Sequence, residues 1–280
     1  MKLNVIALII GLFLSQASAG FSLVTWNVAE FGDPREDRLR RLLTVIHDKS
    51  PDVVLLQEVE GHTRLVASKV GFTKYRILER RDSSGLPEGG LIAFVKKDWS
   101  TENARYQRFP SEMDRGELTF VLKNLCGVNQ TFTSVHLESP DLIFWRSRAY
   151  RTQQVEKLKA QSQEQSDWLV AGDMNLIHNP DADEHFPKDW VDVWATLHPS
   201  DPGLTWDPDN NEMAYRSGGF ILPGYRLDRV LFKSEKLIPV NVERLGVGEK
   251  PPFSDHYGLL VEFSCRTKSS RKAELTGDRE

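Results

Sequence analysis

Cysteine is scarce in this chain: two residues, Cys126 and Cys265, in 280. In an oxidising compartment they could pair, but their spacing alone does not decide it. An excess of positive charge is also missing. With 36 Lys and Arg against 40 Asp and Glu, the formal net charge is −4, which excludes the broad cationic face of a general nucleic-acid binder. A metal ion held in an acidic cleft would still bring a phosphate in. Beyond Leu14 no run is apolar enough to span a bilayer, so no stable membrane insertion is expected. No internal repeat and no linker divides the chain. At 40% apolar and 27% charged residues, its composition is that of a globular protein able to bury a substantial core.

The one marked apolar run lies at the start. Met1-Lys2 is a short basic opening, Val5 to Leu14 is interrupted only by Gly11, and Ala17-Ser18-Ala19 is an A-x-A cleavage signal. Together they predict a signal peptide over residues 1–19. The mature chain would begin at Gly20 with 280 − 19 = 261 residues and, without Lys2, a charge of 35 − 40 = −5. The expected location is secreted or periplasmic, with a nuclear one as the alternative if these residues are not a working signal. Asn129-Gln130-Thr131 is a glycosylation sequon, of use only in a eukaryotic exported protein.

Along the mature chain, Phe21 to Val28 predicts a strand, and Pro34 opens a helix with Leu39, Leu42, Leu43 and Ile46 at helical spacing. Asp52 to Glu58 reads as a second strand and Thr63 to Val70 as a short helix. A hairpin follows, with Tyr75 to Leu78, a turn at Ser83 to Gly90, and Leu91 to Val95. Thr119 to Leu125 and Gln130 to His136 form another strand pair. Arg148 to Gln165 is a surface helix with a thin apolar face, Val155 and Leu158. Trp168 to Ala171 predicts a buried strand from which Gly172 lets the chain turn sharply. Further strands are expected at Arg226 to Phe232, Val240 to Leu245 and Gly258 to Phe263, and a floppy polar tail over 266–280. Ile177 to Tyr225 is too long for a plain connection and is rich in Pro, Asp, Asn and Gly. Many short strands with few helices point to a two-sheet sandwich flanked by helices, over residues 20–265.

Polar residues gather where the apolar runs stop: Asn27, Glu58, His136, Asp173 with Asn175, Asp228, and Asp255 with His256. Asp173 and Asn175 are two apart, which on a strand sends both to one side. Taken singly, each residue has an ordinary explanation. The Asp173–Asn175 pair could bond its own turn, Glu58 could be an edge charge, and Asp228 could pair with Arg229 at the surface. Taken together, they would meet at one rim of a sandwich.

Thr25-Trp26-Asn27, Leu56-Gln57-Glu58-Val59, His136-Leu137-Glu138-Ser139, Gly172-Asp173-Met174-Asn175, Leu227-Asp228-Arg229-Val230 and Ser254-Asp255-His256 stand in an order that resembles the endonuclease/exonuclease/phosphatase superfamily. Val191 to Trp194 and Thr205-Trp206-Asp207 with Asn210 and Asn211 make the chain most similar to its tyrosyl-DNA phosphodiesterase 2 group. The resemblance implies a four-layered α/β-sandwich, two packed mixed β-sheets flanked by helices. It also implies metal-dependent hydrolysis of a phosphoester, on DNA by preference, with magnesium or alternatively manganese and with no partner protein, the chain acting as a monomer. On this basis Glu58 is expected to hold the metal, with Asp255 beside it directly or through water. Asp173 would position or deprotonate the attacking water. Asn27 would hold the water or the metal shell, and Asn175 would donate to phosphate oxygens. His256 would donate to a non-bridging oxygen as imidazolium, oriented by Asp228, and His136 would touch the phosphate from the other side. Ser139, Trp194, Trp206 and Arg216 are expected to meet substrate, the tryptophans by stacking unless they pack in the core; Arg146 and Arg148 are further candidates for steering phosphate.

Two features depart from that group. Its members begin with a ubiquitin-binding region and act in the nucleus, whereas this chain opens on an export signal. After Ser139 the sequence runs Pro140-Asp141-Leu142-Ile143-Phe144-Trp145 in place of a polar, arginine-bearing continuation. The competing readings are a secreted phosphatase or sphingomyelinase-like phosphodiesterase on a lipid or small phosphoester, and a catalytically inactive interaction protein. Against the last, every motif position is filled.

Overall fold

The structure is a computed structural model and describes residues 20–29, 35–81, 87–140, 144–177, 186–219 and 222–266. The expected signal peptide and nearly all of the expected tail lie outside these residues, as do Pro34, the first half of the Ser83–Gly90 turn and residues 141–143 after Ser139.

Alternation of apolar side chains across the strands gives two sheets that bury their inner faces on each other. The first contains β1 (Phe21–Asn27), β2 (Val53–Gln57), β3 (Tyr75–Leu78), β4 (Ile92–Lys96), β11 (Leu237–Leu245) and β12 (Gly258–Cys265), in the order β11-β12-β1-β2-β4-β3. The second contains β5 (Thr101–Arg108), β6 (Gly116–Leu125), β7 (Val128–His136), β8 (Trp168–Asp173), β9 (Val191–Asp192) and β10 (Asp228–Lys233), in the order β5-β6-β7-β8-β10-β9. Both are mixed. In each, the one parallel pair, β1 with β2 and β7 with β8, lies at the centre.

Leu23, Leu55, Phe120, Phe132, Leu169, Val230 and Val261 fill the space between the sheets. The opposite face of the first sheet, through Val24, Trp26, Val54 and Leu56, packs on Leu39, Leu42, Leu43 and Ile46 of α1 (Arg35–Lys49) and on α2 (Thr63–Val70). The opposite face of the second packs on Val155 and Leu158 of α3 (Phe144–Gln163), the two residues that form its thin apolar face. Helix, sheet, sheet, helix is the four-layered α/β-sandwich.

Three local expectations are corrected. β5 carries Glu102, Arg105 and Arg108 and pairs only with β6; an exposed edge strand needs no apolar pattern, so none announced it. The segment Ile177 to Tyr225 holds β9, a short helix α4 (Val193–Leu197) and a single turn at Glu212–Ala214. Gly172 does not end its strand. β8 runs through it to Asp173, paired with Val135 and Arg229, at φ 145°, and a Cβ there would stand 2.0 Å from the Val135 carbonyl oxygen. Glycine is required because two central strands approach closely just before the catalytic rim.

Cys126, in the β6–β7 turn, and Cys265, at the end of β12, are joined in a disulfide with Cα atoms 5.2 Å apart. The bond ties one sheet to the other and closes a span of 139 residues. Replacing both cysteines by serine is expected to lower unfolding free energy by about 2–5 kcal/mol, the usual loss for a native disulfide. Urea melts of the oxidised protein beside the Cys126→Ser, Cys265→Ser variant measure it.

Candidate active site

Register brings the polar strand ends together. Asn27 closes β1 opposite Gln57, and Glu58 follows at φ 57°. His136 closes β7 directly beside Asp173, the last residue of β8, and Asp228 opens β10 on the other side of Asp173. His256 lies two residues before β12. Two of these residues or their neighbours sit in the sparsely populated left-handed region, Glu58 and Asn175 (φ 51°), where a non-glycine residue is held by its surroundings.

Asp173 is the focus. Its Oδ2 accepts a hydrogen bond from Asn27 Nδ2 at 3.0 Å and lies 3.4 Å from His136 Nε2 and 3.8 Å from His256 Nε2. The same Asn27 amide donates to Glu58 Oε1 at 3.0 Å. Burial opposes the charge on Asp173, but His256, His136 and the Asn27 amide outweigh it and hold the carboxyl well below the usual carboxylate range. Asp173 is therefore an ionised base with almost no solvent around it.

The two histidines are set differently. Arg115 Nη1 lies 2.6 Å from His136 Nδ1. A guanidinium only donates, so Nδ1 accepts and the ring proton sits on Nε2. That buried N–H has no hydrogen-bond partner and faces the Asp173 and Glu58 carboxylates from 3.4 and 3.8 Å. His256 instead donates from Nδ1 to Asp228 Oδ2 at 2.7 Å. Burial works against a charged His256, yet Asp228, Asp173 and Asp255 together raise it well above 6.5. Burial pushes Asp228 up as well. The proton between the two resides on the imidazole, because three carboxylates face it.

Arg115, which no sequence motif includes, and Glu138, Thr205 and Ser254, which the motifs include without a role, build the scaffold of the site. Arg115 also donates to Ser139 Oγ at 2.7 Å, which places Ser139 at the site's edge. Glu138 is buried and accepts from Ser111 Oγ and Glu112 N, pinning the loop that presents Arg115. Thr205 Oγ1 accepts from Leu227 N and Asp228 N, while its carbonyl accepts from Tyr257 N, joining the Asp228 and His256 segments. Ser254 Oγ donates to the Asn27 carbonyl at 2.7 Å.

Several expected contacts differ. Asn175 Nδ2 donates to the Leu137 carbonyl at 3.0 Å and to Ser139 Oγ at 3.3 Å, and its backbone N–H donates to Asp173 Oδ1. Its amide hydrogens fasten the loop after β7. Trp194 packs in the core between α4 and the second sheet, with its indole N–H on the Asp201 carbonyl and Arg244 over its ring. Trp206 lies in a small cluster with Ala214 and Leu227, stacked on Tyr225 and donating to Ser217. Neither indole offers a stacking face. Arg216 is exposed and paired with Glu212, and Arg146 is paired with Glu112 at 2.9 Å. Asp255 is buried beside His256, and burial raises its carboxyl.

Among the described residues, two groups bring three ligand-type atoms within 4.8 Å of one another: Glu58, His136 and Asp173, and Asp173, Asp228 and His256. Asp255 is in neither. His136 presents a hydrogen rather than a lone pair, and His256 is protonated, so carboxylate oxygens are the donors left. Two carboxylates held about one amide, with Glu58 partly open to water, fit a hard cation such as magnesium or manganese that keeps several waters.

A sequence model of the Endonuclease/Exonuclease/phosphatase family matches residues 24–256, from β1 to His256. The chain belongs to that family. Its activity is therefore hydrolysis of phosphoester bonds. Tyrosyl-DNA phosphodiesterase 2 of Gallus gallus is 28% identical over 267 residues, spanning 88% of this chain and 67% of that protein. The Homo sapiens counterpart is 28% identical over 87% and 68%. In structure, D. rerio TDP2 complexed with a single-strand DNA product superposes with TM-score 0.74 at 25% identity, over 88% of this chain and 99% of that one. The human Nocturnin catalytic domain, at TM-score 0.65 and 18% identity over 88% and 94%, shares the fold.

In metal-free protein, His256 is expected to keep imidazolium NMR shifts well past pH 6.5, and Asp228→Asn to bring its midpoint down. A raised folded-state value stabilises below pH 6.5, and that stabilisation is lost as pH rises through the folded value. His256 in the variant titrating where it does in wild type would deny Asp228 this control.

Proposed function

We propose that this protein is an exported, magnesium-dependent phosphodiesterase that hydrolyses nucleic-acid phosphodiesters, of the kind in which DNA carries a 5′ tyrosyl adduct. The observation that carries the reading is the convergence of Asn27, His136 and His256 on a buried, ionised Asp173. Support for the substrate comes from the relatives, named tyrosyl-DNA phosphodiesterase 2, and from the single-strand DNA product held by the zebrafish protein.

Asp173 takes the proton of the attacking water. Its Oδ2 is the only carboxylate oxygen here flanked by two imidazoles and an amide, which fix its direction. Asn27, with one amide hydrogen on each of Asp173 and Glu58, fixes the two carboxylates beside which the water is bound. Charge that builds on the phosphate meets the His256 imidazolium on one side and the unpartnered His136 Nε2–H on the other. Asp228 orients His256 through the 2.7 Å bond. Glu58 would hold the magnesium, with Asp255 beside it directly or through water, and the chemistry such an ion supplies is polarisation of a phosphoryl oxygen. Every residue named lies in one chain, so the proposed site needs no second copy.

Export rests on the residues 1–19 and on the Cys126–Cys265 disulfide, a bond that persists in oxidising compartments. No helix among the described residues is long and apolar enough to cross a membrane.

Asp173→Asn is expected to lower kcat by about 10²–10⁴-fold, the usual worth of a general base, and Glu58→Gln to raise the magnesium concentration needed for half activity. The test incubates the protein with magnesium, or with chelator, on single-stranded DNA bearing a 5′ tyrosyl adduct, on sphingomyelin and on inositol phosphates. Turnover of the lipid or the inositol phosphates alone would remove the nucleic-acid reading. An Asp173→Asn protein as active as wild type would remove the role given to the base.

A further inference from the structure

We infer that Arg38, a buried cation on α1, is a positioning residue that sets the direction of the Asn27 amide. The inference rests on the phosphodiesterase reading for its catalytic consequence, and on geometry alone for the contact itself.

Arg38 stands in the first turn of α1, one residue before the apolar stripe begins, and is 6% exposed. Burying a guanidinium is costly unless its hydrogens are used. Here Nη1 donates to the Phe253 carbonyl at 2.6 Å and Nη2 to the Ala29 carbonyl at 2.8 Å. These carbonyls belong to the two segments that carry Asn27 and His256.

The Ala29 contact is the informative one. Ala29 lies at φ 45°, a conformation that disfavours a side chain, and is fully buried. Its N–H donates to Asn27 Oδ1 at 3.0 Å. With Oδ1 held, the Asn27 amide can present only Nδ2 to the other side, where it donates to Glu58 and Asp173. Arg38 therefore grips the turn that decides which end of the Asn27 carboxamide faces the carboxylates. Reversed, the same amide would put an oxygen against two negative charges.

The Phe253 contact fixes the opposite segment. Ser254 Oγ donates to the Asn27 carbonyl, and Trp26 Nε1 donates to the His256 carbonyl at 2.9 Å. Arg38 closes a ring of four bonds between the two segments. A lysine would keep the charge but could not span both carbonyls with a planar fork.

The Trp26 indole N–H offers a readout independent of turnover, and the Trp168 indole, bonded to Thr133 Oγ1 under α3, serves as its control. In Arg38→Lys, kcat on 5′ tyrosyl single-stranded DNA with magnesium is expected to fall about 10- to 100-fold at nearly unchanged KM, as for a misplaced catalytic group. Hydrogen exchange at Trp26 should quicken by about tenfold while Trp168 keeps its wild-type rate. Arg40→Ala, which removes an exposed ion pair with Asp37 on the same helix, should leave kcat unchanged. Wild-type kcat in a folded Arg38→Lys protein overturns the inference, as does equal quickening at both indoles, which would mark Arg38 as a general stabiliser. Should Arg38→Met fail to fold, the lysine variant still decides. If wild type turns over no phosphodiester, the functional reading fails, and unchanged Trp26 exchange would remove the Arg38 contact as well.

Discussion

The amide of Asn27 donates one hydrogen to Glu58 and the other to Asp173. Both acceptors are carboxylates, one half-buried and one buried, and without this donor burial would favour a proton on Asp173. A protonated Asp173 could take no proton from water. The site therefore depends on a neutral group standing between two carboxylates while Asp173 stays ionised. His136 completes the arrangement from the second sheet, and His256, just before β12, from the first. Because Asn27 and Glu58 come from one sheet and Asp173 and His136 from the other, the amide is also a joint between the halves of the sandwich.

That joint explains the packing around it. The second sheet brings Val135 and Gly172 so close that only glycine fits, and this closeness sets His136 beside Asp173 in register. Thr205 and Ser254 spend side-chain hydrogen bonds on backbone groups of neighbouring segments. Such bonds contribute about 1 kcal/mol each to stability. Their larger effect is to hold reacting groups at fixed separations.

The fold and the main site residues were legible in the sequence for one reason: both depend on where apolar runs stop. Asn27, Glu58, His136, Asp173 and Asp228 end or begin runs whose alternation makes them strands, so position along the chain gave position on the rim. Arg115 had no such signal, since the loop before β6 has no periodicity, and its value lies in reaching His136 and Ser139 across space. Thr205 and Ser254 act through backbone groups distant in sequence. Trp194 and Trp206 show the opposite failure. An aromatic ring serves equally as core and as stacking face, and only burial separates the two. Asn175 was placed correctly, but which way its amide points is set by the Leu137 carbonyl, which no local pattern reveals.

The Cys126–Cys265 bond lies at the end of the sandwich away from the catalytic rim, and the span it closes contains His136, Asp173, Asp228 and His256 but neither Asn27 nor Glu58. A single peptide-bond cut anywhere between Cys126 and His256 would leave two pieces still covalently joined, one carrying Asn27 and Glu58 and the other His256. In an environment rich in proteases, a nicked molecule would migrate as two fragments only after reduction, and its sheets would remain tethered for as long as the disulfide lasts.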